Sequence, residues 1–515
     1  MGCTTILVGC KATADGTTIM ARTDDSGHGS FEAKRFEVVA PQDLPRKYKS
    51  VISHVEVPLP AKGLRYTRFP DADSHKGLWA GAGINSARVS MTATETLTSN
   101  ERVLAADPLV TLVEERGKVG EKDYEPEKPG GIGEEDIVVL VLPYIHSARE
   151  GVLRLGDLLT KYGTYEMNGI GFADDTEVWW LETVGGHHWL ARRLPADSYA
   201  VIANQFSLDD FDFDDAFGEA KDYLCSPDLE DFVAENHLDT AASRGANERR
   251  FNPRLAFGSR TDSDHVYNTP RVWALQRFFN PATVSHSENP AQPQADDLPW
   301  CLTPERLITM EDVKYALSYH YQGTPFDPYA RAEHVSSGGR DRREMYRPIG
   351  INRTNFVAGL QIRPGSPAAA AGLNWVAFGA MPFNAMVPFY ANVRQTPEYL
   401  RDTTARVTTE NHYWHNRIIA ALVDAHYHQC LAHVERYQGK VTAEAMAIVA
   451  RTDAKVASLG DEITSNMSSD TVFDLLEAAN AEIADLLKRE TDDLLGKVLY
   501  EASLQMRNAF SRDDA

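Results

Sequence analysis

An α+β fold is what this sequence predicts, and three features of its patterning predict it. The chain opens on a β-branched, apolar run, Thr4-Thr5-Ile6-Leu7-Val8-Gly9-Cys10, of the length of a buried strand. Strand-like runs then recur with helical stretches between them. From about Thr404 to the end the periodicity is helical. With 515 residues, 43% of them hydrophobic and 24% charged, the chain has the balance of a globular protein and enough apolar material for a large core.

The elements follow in order. Asp15-Gly16 supplies a turn and Thr17–Arg22 reads as the returning strand, so the chain begins as a hairpin with Cys3 at the start of a central strand. Gly77–Val89, Val178–Thr183 and Tyr199–Ala203 read as further strands. Asp107-Pro108 has the residue types of a helix N-cap and first position, predicting a helix over Leu109–Arg116, and 147–162 carries apolar residues at helical spacing. Four prolines among polar residues predict a surface loop over 281–300. Thr354–Ile362 and Trp375–Phe378 return to strand character. The chain thus divides into a mixed region, 3–400, and a helical one, 401–515, packed on or continuous with it. Val472, Leu475, Leu476, Ile483, Leu486 and Leu487 form a stripe that reads as an internal packing face, with an oligomer seam as the alternative.

Charge and cysteine usage narrow the classes. Lys plus Arg number 52 against 74 Asp plus Glu, and a net charge of −22 argues against nucleic acid or an anionic membrane as the main partner. No run approaches the roughly 20 apolar residues that cross a bilayer. Met1-Gly2-Cys3 departs from an acylation signal at Ile6, and Leu7-Val8-Gly9-Cys10 lacks the segments that precede a lipoprotein box. Cysteines 3, 10, 225, 301 and 430 form neither a disulfide framework nor a metal-type pair, which fits a reducing cytoplasm. His187-His188, His412/His415 and His426/His428 do not make the metallopeptidase H-E-x-x-H, so neither metal nor cofactor is expected.

A thiol acts as a nucleophile only as its thiolate and needs a base nearby. When a cysteine is itself the first residue, its own α-amine, with a pKa of roughly 7.7–8.0, can serve. Arg22 and Asp25 lie at the end of the returning strand, across the hairpin from Cys3. Asn85, Asn204 and Arg271 are amide and cationic side chains further along. Taken singly, each is as readily a buried small residue, a surface ion pair or a turn residue.

Longer blocks add to this. Cys3-Thr4-Thr5-Ile6-Leu7-Val8-Gly9 followed by Ala21-Arg22-Thr23-Asp24-Asp25-Ser26 resembles the opening of the dipeptidase A family of cysteine peptidases. The similarity continues through Gly83-Ile84-Asn85-Ser86, Val89–Glu95, Ser147-Ala148-Arg149-Glu150-Gly151, Gly186-His187-His188-Trp189, Tyr267–Arg271 and Tyr346-Arg347-Pro348-Ile349. That family is distantly similar to choloylglycine hydrolase and penicillin V acylase. The resemblance implies the N-terminal-nucleophile fold, a four-layer αββα sandwich, over 3–400, and hydrolysis of dipeptides. Carried over by motif, Cys3 would be nucleophile and, through its amine, base. Arg22 and Asp25 would position thiol and amine, with Arg22 as the counterweight to Asp25. Asn85 and Asn204 would hold the amine and the oxyanion, and Arg271 would order the site, with Arg254 as its rival.

Met1-Gly2 precedes Cys3, so the resemblance further implies that both are lost. The alternatives are the same machinery acting on a non-peptide acyl-amide, or an unprocessed, secernin-like scaffold without activity.

Overall fold

A computed structural model describes residues 2–506 apart from 28, 94, 241–249, 286–290 and 332–340; Met1 therefore lies outside the described residues. Two antiparallel sheets dominate it. The first runs in the order Cys301–Leu302, Tyr199–Ile202, Thr4–Val8, Thr18–Asp25, Thr354–Ile362, Gly372–Phe378, Val387–Tyr390. The second runs Tyr223–Cys225, Trp189–Arg193, Val178–Thr183, Asn168–Ala173, Ser90–Thr92, Ala82–Ile84, with Glu95–Thr96 also paired to Asn168–Ala173. The opening hairpin thus lies at the middle of the first sheet, and the fold is mixed α and β with antiparallel sheets.

The sheets lie face to face. A Cβ on Gly171 of the second sheet would meet Met20 Sδ at 3.0 Å and Leu7 Cδ2 at 3.4 Å, both from the first. Alternation along Val178–Thr183 sends Trp180 into the apolar cluster containing Leu7, Ile19 and Met20. Trp179 goes into a second cluster with Ile137–Val141 and the helix Ala148–Tyr162. Helices His412–Ala425, Tyr427–Ala457 and Asp470–Ser503 contribute Ile419, Val441 and Leu487 to the first cluster. Polar ties reinforce them: Tyr390 Oη donates to Val449 O at 3.0 Å, and Tyr390 N–H donates to Asn480 Oδ1 at 2.8 Å. The stripe residues Val472, Leu476, Ile483, Leu486 and Leu487 are buried in this packing, so the stripe is an internal face.

Because both faces of the central strands are covered, Thr18–Asp25 is buried at every position. That makes Arg22, Asp24 and Asp25 costly residues that must be paired where they lie. A β-bulge between Thr354 and Phe356, opposite Asp24 and Asp25, bends the neighbouring strand at this end of the sheet.

Three expectations are corrected. The helix near Asp107 lies upstream, Glu101–Ala106, with Asn100 as its N-cap. The Asp107 carboxylate instead accepts the backbone N–H groups of His187 and His188, at 2.8 and 3.1 Å, which holds it away from a cap. The stretch 281–300 begins as a helical turn, Pro281–Ser285, and ends with Leu298 and Trp300 buried, so it is only partly a surface loop. Within 77–89 only Ala82–Ile84 is strand, because Asn85 starts a turn.

Candidate active site

Cys3 lies just before the first strand and is 1% exposed. Its sulfur accepts from Arg22 Nη2 at 3.0 Å, and its backbone N–H donates to Asn204 Oδ1 at 3.1 Å. The register explains both contacts. Thr5 pairs with Arg22 across the hairpin, and Thr5 pairs with Ile202 on the other side, two residues before Asn204. Side chains two apart share a strand face, so Cys3, Thr5 and Arg22 face the second sheet, whereas Thr4 and Thr23 face away from it.

Arg271 is the hub of that outer face. All five of its N–H groups find acceptors: Nε donates to Tyr267 O at 2.7 Å, and Nη1 to Thr4 Oγ1 at 2.8 Å and to the Cys3 carbonyl. Nη2 donates to Asn204 Oδ1 and Asn268 Oδ1, both at 2.8 Å. Asn204 Nδ2 in turn donates to Thr96 O at 3.1 Å, so Asn204 is fixed from both ends of its amide. Arg254 is occupied elsewhere, on the carbonyls of Asp296, Leu298 and Ser207, and makes none of these contacts.

Asp25 reaches the site through a residue to which sequence reasoning gave no role. Its Oδ1 accepts from Thr354 Oγ1 at 2.7 Å across the bulge, and its Oδ2 pairs with Arg347 Nη2. The same Nη2 donates to the Gly2 carbonyl at 3.0 Å. The counterweight of Asp25 is therefore Arg347, and Arg22 serves the sulfur on the opposite strand face. Alternation puts residues 22 and 25 on different sides, which their spacing alone indicates. Gly2 itself is enclosed, since an added Cβ would collide with Tyr267 Oη.

Asn85 is not brought to this cluster. Its Nδ2 donates to the carbonyls of Leu142 and Ile145, both at 2.8 Å, and its Oδ1 accepts from Ala87 and Val89 N–H. It pins a turn to the outer layer. Glu95 and Glu134 also belong to the cluster, although neither stands in a motif of its own chemistry. Glu95 Oε2 accepts from Thr5 Oγ1 at 2.7 Å, and Glu134 Oε1 lies 3.5 Å from Arg22 Nη2. Glu95 and Arg347 stand in blocks that carried the family resemblance, which is the signal that could have found them.

Burial, relieved by Arg22 but reinforced by Glu95, Asp24 and Glu134, pushes the Cys3 thiol up to about 12. With Gly2 attached, the adjoining nitrogen is an amide and offers no base. Burial also pushes Glu95 up to about 7, against the pull of Arg271 and Arg22. Arg271 is lowered to about 10 by burial and then by Arg347, and stays charged at neutral pH.

Residues 2–440 match the family described as peptidase family C69. The chain belongs to peptidase family C69. Among C69-like relatives, it is 50% identical to "Dipeptidase" of Bifidobacterium longum (strain NCC 2705), over 100% of both chains. It is 47% identical to "Probable dipeptidase A" of Streptococcus pyogenes serotype M3, again over 100% of each. With "Dipeptidase A" of Lactobacillus helveticus it shares 40% identity over 97% of this chain and 96% of the other. Among the described residues, no helix of this C69 chain is long and apolar enough to cross a membrane.

The block Ser147–Gly151 that helped to signal the family is structural. Ser147 caps the helix Ala148–Tyr162 by accepting from Glu150 N–H at 3.1 Å, and Arg149 stacks over Trp179.

Proposed function

We propose that this C69 chain is a dipeptidase of the N-terminal-nucleophile type, with Cys3 as nucleophile once Met1 and Gly2 have been removed. The observation that carries the reading is the pair of contacts on one residue, Arg22 Nη2 on the Cys3 sulfur and Asn204 Oδ1 on the Cys3 nitrogen. A guanidinium at the sulfur favours thiolate, and an amide oxygen at the nitrogen holds an amine in place. The two facing sheets with helices outside them are read as the four-layer αββα core, 3–400. The helices beyond 400 form part of the same packed unit.

In the mature chain the Cys3 amine takes the thiol proton. The thiolate adds to the scissile carbonyl, and the ammonium returns the proton to the leaving amine as the C–N bond breaks. Water, deprotonated by the amine, then releases the acyl group from sulfur. Arg271 acts at one remove, fixing Asn204 Oδ1 and the Cys3 carbonyl. Asp25 and Arg347 order the position that Gly2 occupies in the unprocessed chain.

The relatives' names point to dipeptides. The experiment is intact-mass spectrometry paired with hydrolysis of a dipeptide panel, with tripeptides and acyl-amides as controls. The expected result is that activity follows the fraction of chains beginning at Cys3 and is confined to dipeptides. Full activity in a chain retaining Gly2 would overturn the nucleophile. Preference for acyl-amides would redirect the substrate, and a chain that keeps Gly2 and hydrolyses none of the panel would be a scaffold.

A further inference from the structure

Cys3 lies between two unlike electrostatic surroundings. On the outer strand face stand two buried guanidinium groups, Arg271 and Arg347, with Asp25. On the face toward the second sheet stand Arg22, Glu95, Glu134 and Asp24. Asp24 has Lys34 at 3.4 Å, and Lys34 also binds Asp71 at 2.6 Å. Glu95 is 1% exposed, and its Oε1 has no hydrogen-bond partner among the described residues. A buried carboxylate oxygen without a donor is expensive unless a ligand supplies one.

We propose that Glu134, with Glu95 on the same side of Cys3, receives the free α-ammonium of the dipeptide and so sets the requirement for an unblocked substrate N-terminus. The assignment rests on Cys3 as the nucleophile and deepens that reading.

Covalent geometry confines where such a receptor can be. In an aminoacyl thioester the ammonium nitrogen is three bonds from sulfur, within about 4 Å of it by standard bond lengths. A carboxylate oxygen accepting from it at roughly 2.8 Å must then lie within about 7 Å of the sulfur. Arg22 Nη2 is 3.0 Å from Cys3 Sγ and 3.5 Å from Glu134 Oε1, so the carboxylate is no more than about 6.5 Å from the sulfur, the sum of the two contacts. The Glu134 side chain is 3% exposed, and its backbone N–H is anchored on Glu166 Oε1 at 2.6 Å. Glu95 hangs from Thr5, on the strand face that Cys3 shares. An ammonium on Glu134 that also reaches Glu95 Oε1 gives that oxygen its missing donor. Burial is the main reason the Cys3 thiol is raised, and the ammonium offsets the part that Glu95, Asp24 and Glu134 add to it, which favours the thiolate that attacks. Arg271 and Arg347 disfavour an ammonium on the outer face and also act on Glu95, which leaves Glu134 as the principal receptor.

The test compares kcat and KM for Ala-Ala and N-acetyl-Ala-Ala in the wild-type chain, Glu134→Gln and Glu95→Gln. The wild type should prefer the free amine by about 100-fold or more in kcat/KM. Glu134→Gln should raise KM for Ala-Ala by about 10- to 100-fold, the value of a lost charge-assisted hydrogen bond, and compress that preference equally. A group that merely positions Arg22 would lower kcat for both substrates and leave their ratio intact, which would overturn the proposal. Equal hydrolysis of the two substrates by wild type would also overturn it. Should Glu134→Gln not fold, the wild-type ratio and Glu95→Gln decide. Failure of the underlying reading looks different, because Cys3→Ala would then keep hydrolysing Ala-Ala.

Discussion

Cys3 and Cys10 lie seven residues apart at the two ends of one strand segment, yet their surroundings differ in kind. The Cys3 sulfur has a guanidinium at 3.0 Å, whereas the Cys10 sulfur is half-buried and donates to the Thr176 carbonyl at 3.8 Å. Cys3→Ala is expected to abolish dipeptide hydrolysis and Cys10→Ala to leave most of it, measured as kcat/KM with folding checked by circular dichroism. Comparable losses in the two would contradict the assignment. A coupled pair sharpens the role of Asp25. Asp25→Asn and Arg347→Lys should each lower kcat by about 10² to 10⁴-fold, the range of lost acid–base positioning. Because each acts through the other, the double variant should lose little more than either single one. Additive losses would mean that the two residues work independently.

At the scale of elements, the start of the helix Ala148–Tyr162 and the end of the strand Thr18–Asp25 are separable devices. Ser147 caps the helix and touches nothing at Cys3. Ser147→Ala should therefore cost about 1 kcal/mol of stability, read as a lower Tm, with kcat/KM unchanged. A loss of activity without a loss of Tm would give Ser147 a functional part. The bulge at Thr354 and Phe356 has the opposite character. It brings Thr354 Oγ1 onto Asp25, so its disturbance should register in kcat before it registers in stability.

For the whole molecule, the buried carboxyl groups couple stability to pH. The Glu95 carboxyl is pushed from its ordinary 4.5 up to about 7 by burial, so the folded chain holds that proton more tightly than the unfolded one. The contribution of the protonated form is complete below about 4.5 and is lost as pH rises to about 7. Glu95→Gln removes this loss. Its stability advantage over wild type, read as a higher Tm, should grow between pH 5 and pH 7 and level off above at about 3 kcal/mol. An advantage independent of pH would show that Glu95 does not titrate in this window. The shared core makes a second demand. Ile419, Val441 and Leu487 pack in one cluster with Leu7 and Met20, so a chain ending near residue 411 should not give a cooperative melt.

Local patterning by itself determined the opening hairpin, the strands Val178–Thr183 and Thr354–Ile362, the helix 147–162 and the helical tail, because runs of one period with marked ends declare themselves. Motif order indicated the family. Tertiary structure alone decided which charged residues meet. Arg347 and Asp25 are 322 positions apart and Arg271 and Cys3 are 268 apart, distances over which no periodicity carries information. It also decided that Asn85 spends its amide on a turn, that Arg254 serves a loop, and that Asp25 is paired by Arg347 and not by Arg22. The reason is physical. A buried charge lies where partners from several strands and loops converge, and that convergence is a property of the sheets once they have packed together.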